Sequence, residues 1–246
     1  MRREIVLIAG WGQSEHACQP LVEALSDLGK VSLIRIEGTL ESLHAQLDLQ
    51  ASRLSSNCQV LMLGWSLGGL VLLNWLDRRQ ADINSPGLCI SLLACNPCFI
   101  ASEGWPGVDS AVFQAFQSRL QASPKATVLR FQALQTQGGE GAASDLRWLR
   151  EDPELTTLTT PSKVTALYNT LEWLMTLDQR STLAQWPRLL RRPLVLLGAQ
   201  DALVPSRVME SLSSWADTDI VPSMAHYPGM AARDALVQSV RAWWAA

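Results

Sequence analysis

The pentapeptide Gly64-Trp65-Ser66-Leu67-Gly68 restricts this chain more than any other feature. It follows an apolar run over residues 59–63 and opens a stretch with helical spacing, Leu67–Arg79. A short apolar run closed by glycine reads as a buried strand, and apolar positions at i, i+3 and i+4 read as a helix. A serine at such a strand–turn–helix junction stands on a tight turn, which small neighbours make possible. The helix start beneath it offers the positive end of the peptide dipole and a backbone N–H, that of Leu67, for an oxyanion. The plain alternative is a glycine-rich turn ahead of a helix, and the strand before the motif favours the nucleophile.

A serine hydroxyl is a weak nucleophile until a base takes its proton. The chain has three histidines, and only His226 follows the serine, the order Ser, acid, His that this junction requires. His16 and His44 lie on polar stretches and read as structural or solvent-facing. The acid belongs in a loop after the preceding strand, where Asp201 follows the apolar run Leu194–Gly198. A turn aspartate is the competing reading for Asp201. Asp217 and Asp219 sit just before or at the start of the last strand, at the wrong edge of the sheet. A second oxyanion donor is expected from the loop after the first strand, Ala9-Gly10-Trp11-Gly12, with Trp11 giving its N–H and laying its ring over an acyl chain.

Around these residues, strand-like runs at 5–9, 31–36, 59–63, 88–94, 194–198 and 219–221 alternate with helical stretches at 17–28, 40–54, 67–79, 206–215 and 230–244. That alternation predicts an α/β chain with a mostly parallel sheet and helices on both faces. Residues 109–185 carry helical patterning only, with helix starts expected at Ser123, Asp152 and Thr160. The expected architecture is the α/β-hydrolase fold, with a core from residues 1–108 and 182–246 and a helical lid over 109–181.

With 48% hydrophobic and 17% charged residues and a net charge of −3, the chain is too apolar for disorder and too neutral for bulk attraction to nucleic acid. Five cysteines, an odd number, fit buried thiols in a reducing cytoplasm better than a disulfide framework. Cys95-Asn96-Pro97-Cys98 lacks the second pair that a zinc site needs, and no metal is expected. The apolar stretch around the serine is broken by Gly64, Gly68, Gly69 and Asn74, so no membrane span is expected.

Further motifs carry a resemblance: Gly10-Trp11-Gly12, Leu63 to Leu70, Pro97-Cys98-Phe99 with Trp105-Pro106-Gly107, Arg130 to Thr136, Leu171-Glu172, and Asp201 to Pro205. Over most of its length the chain resembles the carboxylesterases of biotin synthesis that demethylate pimeloyl-[acyl-carrier protein] methyl ester. The resemblance implies a substrate site lined by Trp11, Ser66, Leu67, Phe131, Gln132, Ala133, Leu134, Gln135 and His226. It implies an acyl-carrier protein as partner, gripped by Arg130 and Arg147. Ala126 and Ala143 stand at two other gripping positions, with Lys125 and Arg150 near enough to substitute. It implies a cytoplasmic monomer with no cofactor. Two positions depart from the family pattern: Ala9 replaces a common histidine, and Glu37-Gly38-Thr39 replaces a Pro-Gly-rich loop. The alternatives are a general short-chain carboxylesterase or acyl thioesterase, and a non-catalytic binding protein on the same fold.

Overall fold

The computed structural model describes residues 2–53, 58–79, 87–186 and 191–245. Six strands lie in one parallel sheet: β1 (Arg2–Ile8), β2 (Lys30–Ile34), β3 (Cys58–Trp65), β4 (Leu88–Leu93), β5 (Leu194–Gly198) and β6 (Asp217–Val221). Their spatial order is β2-β1-β3-β4-β5-β6, every neighbouring pair parallel. Parallel strands joined by helical crossovers are covered on both faces, which is why the inner runs 5–8, 60–63 and 194–197 are apolar throughout, whereas the edge strands β2 and β6 carry Lys30, Ser32, Asp217 and Asp219. Val6, Ile8, Val60 and Met62 enter one core with residues of helices α2 (Leu40–Ala51) and α3 (Leu67–Arg79). Ile5, Leu7, Leu61 and Leu63 enter the opposite core with α1 (Glu15–Ser26) and α10 (Arg233–Ala245). Between β1 and β3 the chain reverses its direction of travel across the sheet. Crevices open at the carboxyl ends of strands at such a point, and the loops after β1 and β3 carry Trp11 and Ser66.

Helices α4 (Ser110–Ala122), α5 (Pro124–Thr136), α6 (Ala142–Arg150), α7 (Pro161–Thr176) and α8 (Arg180–Ala184), with a 3₁₀ turn at Pro153–Thr156, fall between β4 and β5. Ser123, Asp152 and Thr160 do stand at helix starts. Only Asp152 caps with its side chain, accepting from Glu154 N at 2.8 Å. All three starts have proline in the first turn, which leaves one orphan N–H fewer to satisfy.

Several predicted boundaries move for identifiable reasons. Helix α1 begins two residues early because Ser14 Oγ accepts from Ala17 N at 3.0 Å. β2 starts at Lys30 and stops at Ile34, and β6 already starts at Asp217. β4 stops at Leu93 because Ala94 takes φ +46°. The helix expected over 206–215 shrinks to α9 (Val208–Leu212). Turns tighten both of its ends, Val208 N to Pro205 O at 3.0 Å and Trp215 N to Leu212 O at 2.8 Å, and Trp215 stacks on Trp105. The helix expected from residue 230 starts at Arg233, after a turn in which Asp145 Oδ1 holds Met230 N at 3.2 Å. The helix expected over 40–54 ends at Ala51, and residue 54 lies outside the described residues.

Candidate active site

Ser66 follows β3 directly and takes φ +54°, a left-handed conformation that costs a non-glycine residue energy and persists only where surroundings impose it. Two backbone bonds impose it: Ser66 N donates to Leu93 O at 2.8 Å, and Ser66 O accepts from Gly69 N at 2.9 Å. The flanking glycines are required by close approach. A Cβ on Gly68 would strike the carbonyls of Ile8 and Ala9, and one on Gly64 would come 2.5 Å from Gly69 Cα. Neither obstacle is a flexible side chain, so the backbone itself would have to shift. We expect Gly68→Ala to cost about 1–3 kcal/mol, the usual range for forcing extra atoms into a packed site. It should also move Ser66, lowering both Tm and the rate of fluorophosphonate labelling. Unchanged values of both would contradict this account of the turn.

His226 lies in the loop after β6 with its side chain fully buried. Its Nε2 is 2.9 Å from Ser66 Oγ, and its Nδ1 is 2.9 Å from Asp201 Oδ2. Ser66 itself is partly exposed, so a substrate can reach the hydroxyl. Asp201 turns out to be a turn aspartate as well. Its Oδ1 accepts from Leu203 N and Val204 N, both at 2.8 Å, leaving Oδ2 for the histidine. A carboxylate can only accept, so Nδ1 carries the proton and Nε2 is free to accept the serine O–H. Asp217 and Asp219 are engaged elsewhere, with Trp243 Nε1 at 3.0 Å and Ser239 Oγ at 2.6 Å.

Trp65, the residue before the serine, supports this geometry in a way that sequence reasoning missed. Its buried ring donates through Nε1 to His226 O at 3.1 Å. The motif leaves that position open, so no sequence signal marked it.

The other histidines stay apart from the site. His16 stacks on Trp148 with centroids 4.1 Å apart. His44 is buried rather than solvent-facing, with Nδ1 3.0 Å from Arg78 Nη1. Burial, reinforced by the Arg78 charge, pushes its pKa down.

The loop after β1 lies against the nucleophile: a Cβ on Gly10 would be 3.4 Å from Ser66 Cβ. The Trp11 ring meets Phe131 and Phe116 edge-on, at centroid distances of 5.1 and 5.7 Å, and its Nε1 donates to Leu167 O at 2.9 Å. Phe116 and Leu167 had no sequence motif to announce them.

Five consecutive residues cannot share one face of a helix, and residues 131–135 of α5 separate accordingly. Phe131 and Gln135, four apart, face the Trp11 loop. Gln132 turns to α6, where its Nε2 donates to Leu149 O at 3.0 Å. It also lines a cavity of about 70 Å³ with Gly12, Val128, Leu155 and Leu167, beside the loop after β1 and away from Ser66. Ala133 and Leu134 are half-buried.

The inserted helices are tied to the histidine loop by backbone bonds. Tyr227 N donates to Gln135 O at 2.8 Å, and Glu140 N donates to Ser223 O at 2.9 Å. Asp145, buried in α6, holds Met230 N, and burial raises its carboxyl pKa despite that bond and the Arg233 charge. Lys125, Arg130, Arg147 and Arg150 are exposed, and none forms an ion pair among the described residues.

All five cysteines are free and buried. Burial pushes the Cys18 thiol up to about 12 and raises Cys89, Cys95 and Cys98 as well, so these thiols are poor nucleophiles. Among the described residues no helix is long and apolar enough to cross a membrane.

The sequence model described as the alpha/beta hydrolase family matches residues 5–239. The pimeloyl-[acyl-carrier protein] methyl ester esterase of Serratia marcescens is 34% identical, over 99% of this chain and 94% of its own length. That of Edwardsiella ictaluri is also 34% identical, over 92% of this chain and 87% of its own length. The chain belongs to the alpha/beta hydrolase family, among the pimeloyl-[acyl-carrier protein] methyl ester esterases. An esterase from Exiguobacterium antarcticum superposes with a TM-score of 0.75 at 15% identity, covering 99% of this chain and 92% of its own, a likeness of fold. The six-stranded parallel sheet and its helices are the architecture of this family.

Proposed function

We propose that this chain hydrolyses the methyl ester of pimeloyl-[acyl-carrier protein], releasing methanol and pimeloyl-[acyl-carrier protein], in the biotin pathway. The observation that carries the reading is the pair of 2.9 Å hydrogen bonds joining Ser66, His226 and Asp201. Ser66 Oγ attacks the ester carbonyl as His226 Nε2 takes its proton, and Asp201 stabilises the imidazolium that forms. The N–H groups of Trp11 and Leu67 meet the oxyanion where charge develops. The tetrahedral intermediate expels methanol, which receives the proton from His226. Water, activated by the same histidine, then attacks the acyl-Ser66 ester and frees the carboxylate, restoring the serine. Phe116 and Phe131, beside Trp11, supply apolar wall for the pimeloyl methylenes. The helices of residues 109–181 act as the lid. No cofactor or metal takes part in these steps, and five free thiols suit a reducing compartment such as the cytoplasm. Expression in biotin-requiring cells that lack their own esterase tests the reading: growth without biotin supports it, and no growth despite folded protein contradicts it.

The unpaired basic residues suit an acidic partner, since the chain's own net charge of −3 gives no general attraction. Arg130 and Arg147, with Lys125 and Arg150, form the carrier dock in this reading. Exposed charges act mainly through association rate and are screened by salt. The double variant Arg130→Glu with Arg147→Glu is therefore expected to raise KM for the carrier-bound ester several-fold. Hydrolysis of a small p-nitrophenyl ester should hardly change. Equal losses on both substrates would mean that the arginines hold up the helices instead.

A further inference from the structure

The oxyanion loop receives no side-chain brace from Ala9, which ends in a methyl group, and the structure supplies one from the other end. Gln13 N donates to Gly10 O at 3.4 Å, closing a turn around Trp11. In a planar trans peptide the N–H points opposite to the carbonyl, so holding Gly10 O inward to the turn aims Trp11 N–H outward. The Gln13 side chain holds the next peptide. Its Nε2 lies 3.3 Å from Trp11 O and 3.2 Å from Gln135 Oε1. A carbonyl can be met only by the NH₂ end of an amide, so this orientation of Gln13 is dictated, and both of its hydrogens are used. Gln13 and Gln135 are both buried, where an amide left without partners is costly. Gln135 also accepts Tyr227 N through its main chain, one residue from His226. A single residue of α5 thus touches the oxyanion loop with its side chain and the base-bearing loop with its backbone.

We propose that Gln13 and Gln135 are positioning residues that set the Trp11 peptide for catalysis, so that the oxyanion loop is in register only when α5 is seated. This rests on the serine-esterase reading above. Gln135, which the resemblance sets in the substrate site, has its side chain buried against Gln13, so the pair acts through Trp11 N–H and its removal should appear in kcat and leave KM for a small ester nearly unchanged. Methionine matches glutamine in length and volume but leaves the partner amide unpaired at a cost of about 1–3 kcal/mol, so Tm should fall while the fold survives.

The test compares Gln13→Met, Gln135→Met and the double variant on p-nitrophenyl butyrate, with Tm and Ser66→Ala measured alongside. Each single variant is expected to lose about tenfold in kcat, less than the about 10²–10³ that follows removal of an oxyanion donor itself. The double variant should be little worse than either single one, because the two side chains form one connection. Unchanged kcat, additive losses, or losses confined to KM would each overturn the proposal. Turnover that survives Ser66→Ala overturns the serine reading and the proposal with it. An inactive Ser66→Ala beside an unaffected Gln13→Met overturns the proposal alone.

Discussion

Replacing Ser66 by alanine is expected to lower kcat by about 10⁶-fold, the scale on which removal of a triad serine acts elsewhere. The fold should survive. The left-handed backbone at residue 66 is held by Leu93 O and Gly69 N, bonds that do not involve the side chain. His226→Ala should fall by a similar factor, because among the described residues only His226 Nε2 is hydrogen-bonded to Ser66 Oγ. The double variant should be little worse than either single one, since the residues act as a unit. Turnover of p-nitrophenyl butyrate, with fluorophosphonate labelling to count competent serines, measures all three. Normal turnover in Ser66→Ala would remove the basis of the whole assignment.

Asp201→Asn is expected to cost on the order of 10⁴-fold in kcat, the loss that follows a wrong histidine tautomer. The surroundings of Asp201 decide which way the new amide must face. Leu203 N and Val204 N both donate to Oδ1, so the asparagine must present its oxygen there and its NH₂ to His226. His226 Nδ1 then has to accept, which places the ring proton on Nε2, facing Ser66 Oγ. A hydroxyl that meets an N–H has no base to leave to. KM should change little, because residue 201 is buried on the far side of the imidazole from Ser66. A loss below tenfold would mean that another carboxylate orients the imidazole.

Much of this site could be read from the sequence because its logic is linear along the chain. A parallel sheet needs each strand buried on both faces, which writes an apolar run into the sequence, and functional loops follow the carboxyl ends of those runs. Ser66 and Asp201 each come directly after such a run; the edge strand before His226, Asp217–Val221, is largely polar, and His226 was legible instead because no other histidine follows the serine. What was not legible depends on distant partners. Gln13 and Gln135 are 122 residues apart, and nothing local marks either as the other's partner. Tyr227 N to Gln135 O and Glu140 N to Ser223 O are backbone bonds, which any residue type could make. His44 sits on a polar stretch but is buried against Arg78, since tertiary packing of α2 on α3 overrides the local pattern. The helix at 206–215 shows the same override: its spacing is helical, yet Trp215 leaves the helix to stack on Trp105. Even where residues 131–135 of α5 match a motif as a block, the helix distributes them over different faces.

Ser66 is expected to attack the methyl ester at the far end of the carrier-bound acyl chain and to spare the thioester. The direct measurement is mass spectrometry of pimeloyl-[acyl-carrier protein] methyl ester after incubation with the enzyme and, in parallel, with Ser66→Ala. The wild-type protein is expected to remove the methyl group and leave the acyl thioester on the carrier, while Ser66→Ala leaves the substrate intact. Release of the bare carrier with free monomethyl pimelate would show that the thioester is the bond cleaved and would contradict this expectation.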